Sequence, residues 1–132
     1  MPTSEADWIS VATERSKDAK ALKENGRKLA AIYILGYVVE CYLKAYLIKT
    51  GKSIPTSGSS GHDIRGLWEA AGLRPNDFNA GKRWFVKYWN TGLRYETELP
   101  REANFEELCS EGYKLAGYIQ NRLRWARRRI RK

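Results

Sequence analysis

The sequence predicts an all-α fold, namely a four-helix up-and-down bundle with a short extra helix. Apolar residues recur three or four positions apart along most of the chain, and no convincing length alternates with the period of a β-strand. Glycines follow the ends of the helical patterns. With 132 residues and 42% hydrophobic content, the chain suits one compact core. We therefore predict a single helical domain over residues 1–132.

Two long helices are predicted in the first half of the chain. Ser4 and Asp7 have the spacing of a capping box, and they open a helical pattern that Gly26 ends. Residues 27–50 form the second helix, which ends at Gly51.

The second helix contains an apolar stretch, residues 29–48, that is long enough to cross a membrane. Glu40 and Lys44 lie inside it, and ionisable side chains are costly in the middle of a bilayer. We therefore predict a central bundle helix and no membrane partner.

The second half of the chain predicts shorter elements followed by one long helix. Residues 62–72 and 82–90 have short helical patterns. The last helix begins near Asn104, which is expected to act as its N-cap. Its apolar stripe comprises Leu108, Gly112, Leu115, Ile119, Leu123, Ala126 and Ile130. Long helices joined by short connections favour antiparallel packing.

A polar stripe runs along the second helix. At 100° per residue, Tyr33, Tyr37, Glu40 and Lys44 fall on one narrow line, whereas the other faces are apolar. One interpretation is an exposed seam whose Glu40–Lys44 pair contributes about 0.3–0.5 kcal/mol. The other is a polar line that faces a cleft or a dimer partner. The sequence leaves both open.

Two further segments have a structural and a functional interpretation. His62 and Asp63 open a short helix, where side-chain capping is favoured over a catalytic pair. Residues 81–89 alternate aromatic and basic side chains, a composition that can stack on unpaired nucleotides. Because Phe85 and Trp89 stand four apart on one helical face, packing in the core is favoured there.

The net charge of +9 is concentrated at one end of the chain. Residues 121–132 hold seven bases and no acid, which leaves 17 bases against 15 acids elsewhere. This basic helix end can contact RNA phosphates or complement the negative end of the helix dipole. The candidates for RNA contact are Arg127, Arg128, Arg129 and Arg131.

The two cysteines, Cys41 and Cys109, lie far apart in apolar helical patterns and have no metal-ligand spacing. We expect reduced thiols in a cytoplasmic protein, with no metal and no cofactor. No basic segment followed by an apolar one marks a signal peptide.

Three motifs together resemble the HEPN domain (higher eukaryotes and prokaryotes nucleotide-binding). The first is VECYLK at residues 39–44, which is similar to the family's Glu-x-x-Leu-Lys helix end. The second is His62-Asp63 at the start of a leucine-spaced helix, and the third is Arg94-Tyr95 ahead of the last helix. The resemblance covers roughly residues 7–125.

The resemblance implies a four-helix bundle, often a homodimer. The family includes prokaryotic nucleotide-binding partners of minimal nucleotidyltransferases in toxin–antitoxin pairs, and metal-independent ribonucleases of defence systems. In the ribonucleases an arginine is followed, after four to six residues, by a histidine that acts with it on the 2′-hydroxyl and the scissile phosphate. Here the one histidine, His62, precedes Arg94, so the ribonuclease signature is absent.

Three hypotheses follow. In the first, the chain is a non-catalytic module that binds a nucleotide, RNA or a partner protein such as a nucleotidyltransferase. Arg94 and Tyr95 hold an anion there, and Glu40, Lys44 and His62 line the same face. The second hypothesis is a divergent ribonuclease in which Arg94 works with His62 or a carboxylate. The third is a structural or antitoxin-like subunit in which Arg94 pairs with Glu40.

Overall fold

The computed structural model describes residues 2–55, 62–73 and 85–126, and these residues form a helical bundle. The long helices are α1 (Glu5–Glu24), α2 (Lys28–Lys49) and α4 (Phe105–Trp125), and α3 (Ile64–Ala70) is short. Residues 85–88 are helical, and Thr91–Tyr95 form a 3-10 helix. The three described ranges contain no strand, and the all-α prediction is confirmed.

Local sequence signals set the ends of the first two helices. The Ser4 side chain accepts from the Asp7 amide at 3.1 Å, and the Asp7 carboxylate accepts from the Ser4 amide at 3.2 Å, so the capping box is confirmed. Gly26 and Gly51 follow α1 and α2 with φ of 71° and 76°. This left-handed backbone favours glycine, which explains why the helices stop there.

Helix α2 is the centre of the bundle. It packs against α1, α3, α4 and the 3-10 helix, and most of its residues are buried on all faces. Among the described residues it is the one helix long and apolar enough to cross a membrane, but 72% of the relevant window is buried inside the protein. Such burial is typical of the core helix of a folded domain.

The last helix begins as predicted. The Asn104 side chain accepts from the Glu107 amide at 3.0 Å, and the predicted stripe is buried from Leu108 to Leu123. Helix α4 ends at Trp125, and Ile130 lies outside the described residues. Helix α3 spans Ile64–Ala70 and is therefore shorter than the helix predicted over residues 62–72.

Two aromatic side chains from the segment ahead of α4 fill the core. Phe85 and Trp89 are buried, which confirms the core interpretation for both, while Trp84 lies outside the described residues. The Trp89 indole packs directly on the backbone of α2, because a Cβ added at Gly36 would lie 1.8 Å from its ring. This close approach places the segment that precedes Arg94 beside the polar stripe of α2.

Candidate anion-binding site on the second helix

The polar stripe of α2 begins with a buried ion pair. Lys44 Nζ lies 2.9 Å from Glu40 Oε2, and the two side chains are 8% and 4% exposed. The Trp8 ring of α1 covers the pair, with Lys44 Nζ 4.9 Å from the ring centroid. The exposed-seam interpretation was therefore wrong, because spacing within one helix cannot reveal that α1 closes over it.

Glu40 also binds a side chain from beyond α2. His62 Nδ1 lies 2.8 Å from Glu40 Oε1, so one carboxylate joins Lys44 and His62. Capping by His62 and Asp63 was also wrong. Asp63 occupies the N-cap position of α3, but its side chain makes no capping hydrogen bond. A buried carboxylate needs hydrogen-bond donors in place of water, and the His62 ring donates to Glu40 instead of capping α3.

The Glu40 contact fixes the orientation of the His62 ring. A carboxylate that already accepts from a lysine can only accept again, so Nδ1 must carry the proton. In the neutral ring, Nε2 is then the unprotonated nitrogen. The His62 side chain is 44% exposed, so the ring reaches solvent while one nitrogen is held inside.

An aromatic cluster extends the stripe in the other direction. The hydroxyls of Tyr33 and Tyr37 are hydrogen-bonded at 2.8 Å. The Tyr37 ring meets Trp89 and His62 edge to face, with centroids 5.5 and 5.8 Å apart. Trp89 in turn donates its indole N–H to the Tyr33 carbonyl at 3.0 Å. Burial, and then the hydrogen bond between Tyr37 and Tyr33, raises the pKa of Tyr37 far above its ordinary value, so the hydroxyl stays neutral.

Arg94 stands at the exposed end of this cluster. Its guanidinium lies 4.8 Å from the centroid of the Tyr95 ring, which is 78% exposed. Hydrogen bonds to Tyr95 and then to Tyr33 raise the pKa of Arg94 above its usual range. Arginine has five N–H donors in a planar fork, and the exposed position leaves part of that fork to solvent.

The structural hypothesis that Arg94 pairs with Glu40 was wrong. Glu40 is buried and its two oxygens are taken by Lys44 and His62, whereas Arg94 is exposed and lies over the Tyr95 ring. Tyr33 and Tyr37 lie between the two groups. Arg94 and the Glu40–His62 pair are thus two ends of one surface, which we call the α2 surface and which comprises Tyr33, Tyr37, Glu40, Lys44, His62, Trp89, Arg94 and Tyr95.

The structure brings together the five residues predicted for anion binding, but at different depths. Arg94, Tyr95 and His62 reach solvent, whereas Glu40 and Lys44 are shielded and act on the surface through His62. The four candidate RNA-contact arginines, Arg127, Arg128, Arg129 and Arg131, lie outside the described residues. Within residues 2–55, 62–73 and 85–126, no cluster of His, Cys, Asp and Glu could hold a metal ion.

Sequence reasoning missed two members of this arrangement. No prediction singled out Trp8, and Trp89 was assigned only to the core. The signal that could have found Trp89 is Gly36 in the middle of α2, since a glycine inside a helix often marks the close approach of another group. No comparable signal marks Trp8.

The family model of the HEPN domain matches residues 6–124, from the first turn of α1 to the last turn of α4. No curated protein and no solved structure matches the chain. The match covers far more than half of the 132 residues. The chain therefore belongs to the HEPN domain family, whose functions concern nucleotides or RNA, often in toxin–antitoxin or defence systems.

Proposed function

We propose that this HEPN domain binds a nucleotide or single-stranded RNA at the α2 surface, with Arg94 as the phosphate anchor. The observation that carries the proposal is the position of Arg94, an exposed guanidinium that lies 4.8 Å from the centroid of the Tyr95 ring at the edge of an aromatic cluster. A charged donor that is already oriented loses little entropy when it binds an anion. The guanidinium fork also matches two phosphate oxygens at once.

The side chains next to Arg94 provide groups that can bind the base of a nucleotide. Tyr95 presents an open ring face, and stacking of a base on an aromatic ring contributes about 1–3 kcal/mol. His62 adds a polar nitrogen on the same surface. The site thus combines one cation, one stacking platform and one imidazole, which is suited to a phosphate and an adjacent base.

Calorimetric titration with 5′-mononucleotides and with a short single-stranded RNA tests this proposal. Replacing Arg94 with Ala should weaken binding about 10- to 100-fold, because a hydrogen bond to a charged group contributes about 1.5–3 kcal/mol. Arg15→Ala is the matched control, since Arg15 is exposed and pairs with Asp18 on α1. Equal affinities for wild type and Arg94→Ala would refute the anchor.

A second candidate function is metal-independent RNA cleavage, and the Glu40–His62 contact favours it. A carboxylate that holds Nδ1–H leaves Nε2 free to accept a proton, which is the arrangement of a general base. In such a reaction His62 would take the proton of a 2′-hydroxyl, whose oxygen attacks the phosphorus. The 5′-oxygen leaves and takes a proton from a water molecule, a 2′,3′-cyclic phosphate forms, and Arg94 neutralises the phosphate.

Incubation of highly purified protein with single-stranded RNA separates the two candidates. If the domain is a ribonuclease, wild type cleaves RNA, and His62→Ala and Arg94→Ala each abolish cleavage. In that case His62→Ala should still bind a substrate analogue that lacks the 2′-hydroxyl. A wild-type protein that binds RNA without cleaving it ends the ribonuclease candidate and leaves the binding proposal intact.

We also propose that the domain acts as a homodimer, as the family resemblance implies. Sedimentation velocity over a range of protein concentrations tests this directly. A single species with the mass of one chain at all concentrations would contradict it.

A further inference from the structure

A second surface lies on the opposite side of α2 from the α2 surface. It is a groove of about 770 Å³ between α1 and α4, which we call the α1–α4 groove. Its lining residues are Thr13, Ser16, Lys17, Lys20, Lys23, Glu24, Tyr42, Tyr113 and Gln120. Tyr42 is five positions after Tyr37 on α2, a rotation of about 140°, so the groove is separate from Arg94 and His62.

The groove exists because α1 and α4 both pack on α2 and hardly touch each other. At its floor, Gln120 of α4 donates to the Tyr42 hydroxyl of α2 at 2.9 Å. This hydrogen bond ties α4 to α2 at the floor of the groove. Two parallel ridges over a filled floor have the shape that receives a third helix, since side chains of one helix pack into the grooves between others.

The charge of the groove identifies the kind of occupant. Lys17, Lys20 and Lys23 follow each other along one edge, three residues apart. Lys17 is paired with Glu14, whereas Lys20 and Lys23 are exposed and make no ion pair in the described part of the chain. Tyr113, 37% exposed, stands on the other edge. A positive edge facing an aromatic edge complements a segment that carries acids beside apolar side chains.

The same observations disfavour nucleic acid as the occupant of this groove. Strong binding to a phosphate backbone uses many cations, because affinity grows with the number of phosphates neutralised. Here two lysines are unpaired and Glu24 lies among the lining residues. Glutamates spaced three or four residues apart on a helix, by contrast, match the spacing of Lys20 and Lys23.

We propose that the α1–α4 groove docks an acidic amphipathic helix of a partner protein, with its acids on Lys20 and Lys23 and its apolar side on Tyr113 and Tyr42. The site is independent of phosphate binding at Arg94. The domain therefore has two faces, one for the nucleotide or RNA and one for a protein segment.

The test uses a defined probe, namely a helical peptide about four turns long with leucines on one face and glutamates along its border. Its counterpart has lysines in place of the glutamates. Binding to the isotope-labelled protein is followed by amide chemical shifts. The acidic peptide should shift the resonances of the lining residues and leave those of Arg94 and Tyr95 unchanged.

Lys20→Glu and Lys23→Glu should each lower the affinity for the acidic peptide about five-fold, and Tyr113→Ala should lower it as well. Lys114→Glu is the control: it makes the same charge change outside the groove and should leave the affinity unchanged. All four positions are exposed, so each variant is expected to fold. Equal binding of the lysine peptide, or equal losses for Lys114→Glu and Lys20→Glu, would overturn the proposal. A short RNA that shifts the groove resonances more strongly than the peptide would also overturn it.

Discussion

Glu40 accepts from two side chains with one carboxylate, with Lys44 on Oε2 and His62 on Oε1. A carboxylate that is almost fully buried loses its hydration, and it is tolerated only when charges or donors replace the water. Lys44 supplies the opposite charge and His62 the second donor. The same contact that keeps Glu40 inside the protein therefore orients the imidazole at the surface.

Replacing Glu40 with Gln should destabilise the fold by about 3–5 kcal/mol, because Lys44 would remain buried without an opposite charge. The double variant Glu40→Gln, Lys44→Met should recover most of that loss. Glu14→Gln is the matched control, since it breaks the exposed pair with Lys17 and should cost less than about 1 kcal/mol. Urea denaturation of wild type, the two single variants and the double variant gives the free energy of unfolding of each. Similar losses of stability for Glu40→Gln and Glu14→Gln would contradict the prediction.

Cys41 makes stability depend on alkaline pH. Burial, and to a lesser degree the Glu40 carboxylate, raises the pKa of its thiol from 9.0 to about 12. Below pH 9 the thiol is protonated in the folded and in the unfolded state, so the free energy of unfolding does not change with its titration there. Between pH 9 and 12 only the unfolded chain loses the proton, so stability falls by up to about 1.4 kcal/mol per pH unit.

Cys41→Ala should therefore show a shallower loss of stability between pH 9 and 12 than wild type. The difference between the two proteins should be constant from pH 6 to 8, where about the same protons are bound in both states. Tyrosines that titrate at high pH are present in both proteins and cancel in the comparison. Unfolding free energies measured at each pH provide the test, and parallel curves up to pH 12 would contradict it.

At the level of the elements, α2 organises everything else. Its apolar faces bury α1, α3 and α4 around it, and Gly36 lets Trp89 lie against its backbone. The indole supports Tyr33 and Tyr37, and the chain then continues through the 3-10 helix to Arg94. The position of the arginine is thus set by a contact that involves no charge.

Gly36→Ala should destabilise the protein by about 1–3 kcal/mol, although alanine favours a helix by about 1 kcal/mol over glycine. Its Cβ would lie 1.8 Å from the Trp89 ring, which must move. Gly117→Ala on α4 is the control, because a Cβ there meets nothing within 4 Å and should stabilise by about 0.5–1 kcal/mol. Thermal unfolding measures the change in stability of both variants relative to wild type. A Gly36→Ala protein more stable than wild type would show that Trp89 does not occupy this contact.

At the scale of the whole molecule, positive charge that could contact RNA phosphates occurs in two places, at Arg94 and in residues 121–132. The exposed Arg94 lies on a body that is nearly neutral, while seven bases and no acid occupy residues 121–132. A mononucleotide can engage the α2 surface alone. If the basic end also holds RNA phosphates, each phosphate contact adds about 0.7 to the slope of log affinity against log salt for a single strand.

Changing Arg127, Arg128, Arg129 and Arg131 together to Gln should lower that slope by up to about 3 for single-stranded RNA, while mononucleotide affinity stays the same. Arg94→Ala should lower the slope by about 0.7 and weaken both ligands. Fluorescence anisotropy at several salt concentrations measures the slopes. If the four substitutions leave the salt slope for RNA unchanged, the basic end does not bind RNA, and its alternative role is to complement the negative end of the helix dipole.

Local patterns in the sequence determined the ends of α1 and α2, the start of α4, the burial of the α4 stripe from Leu108 to Leu123 and the family, because caps, glycines and helical periodicity act within a few residues of the chain. The polar stripe of α2 was also visible, since residues on one helix have a known angular relation. Whether that stripe was exposed, and which partner each of its residues would take, depended on parts of the chain far away in sequence.

Tertiary packing decided those points. Trp8 covers Lys44, and His62 reaches Glu40 across 22 positions in preference to capping its own helix. Arg94 lies over the Tyr95 ring and not on the Glu40 carboxylate, with which one of the three hypotheses had paired it. The physical reason is desolvation: a buried charge binds whichever donors the fold brings within reach, and only the assembled bundle determines which donors those are.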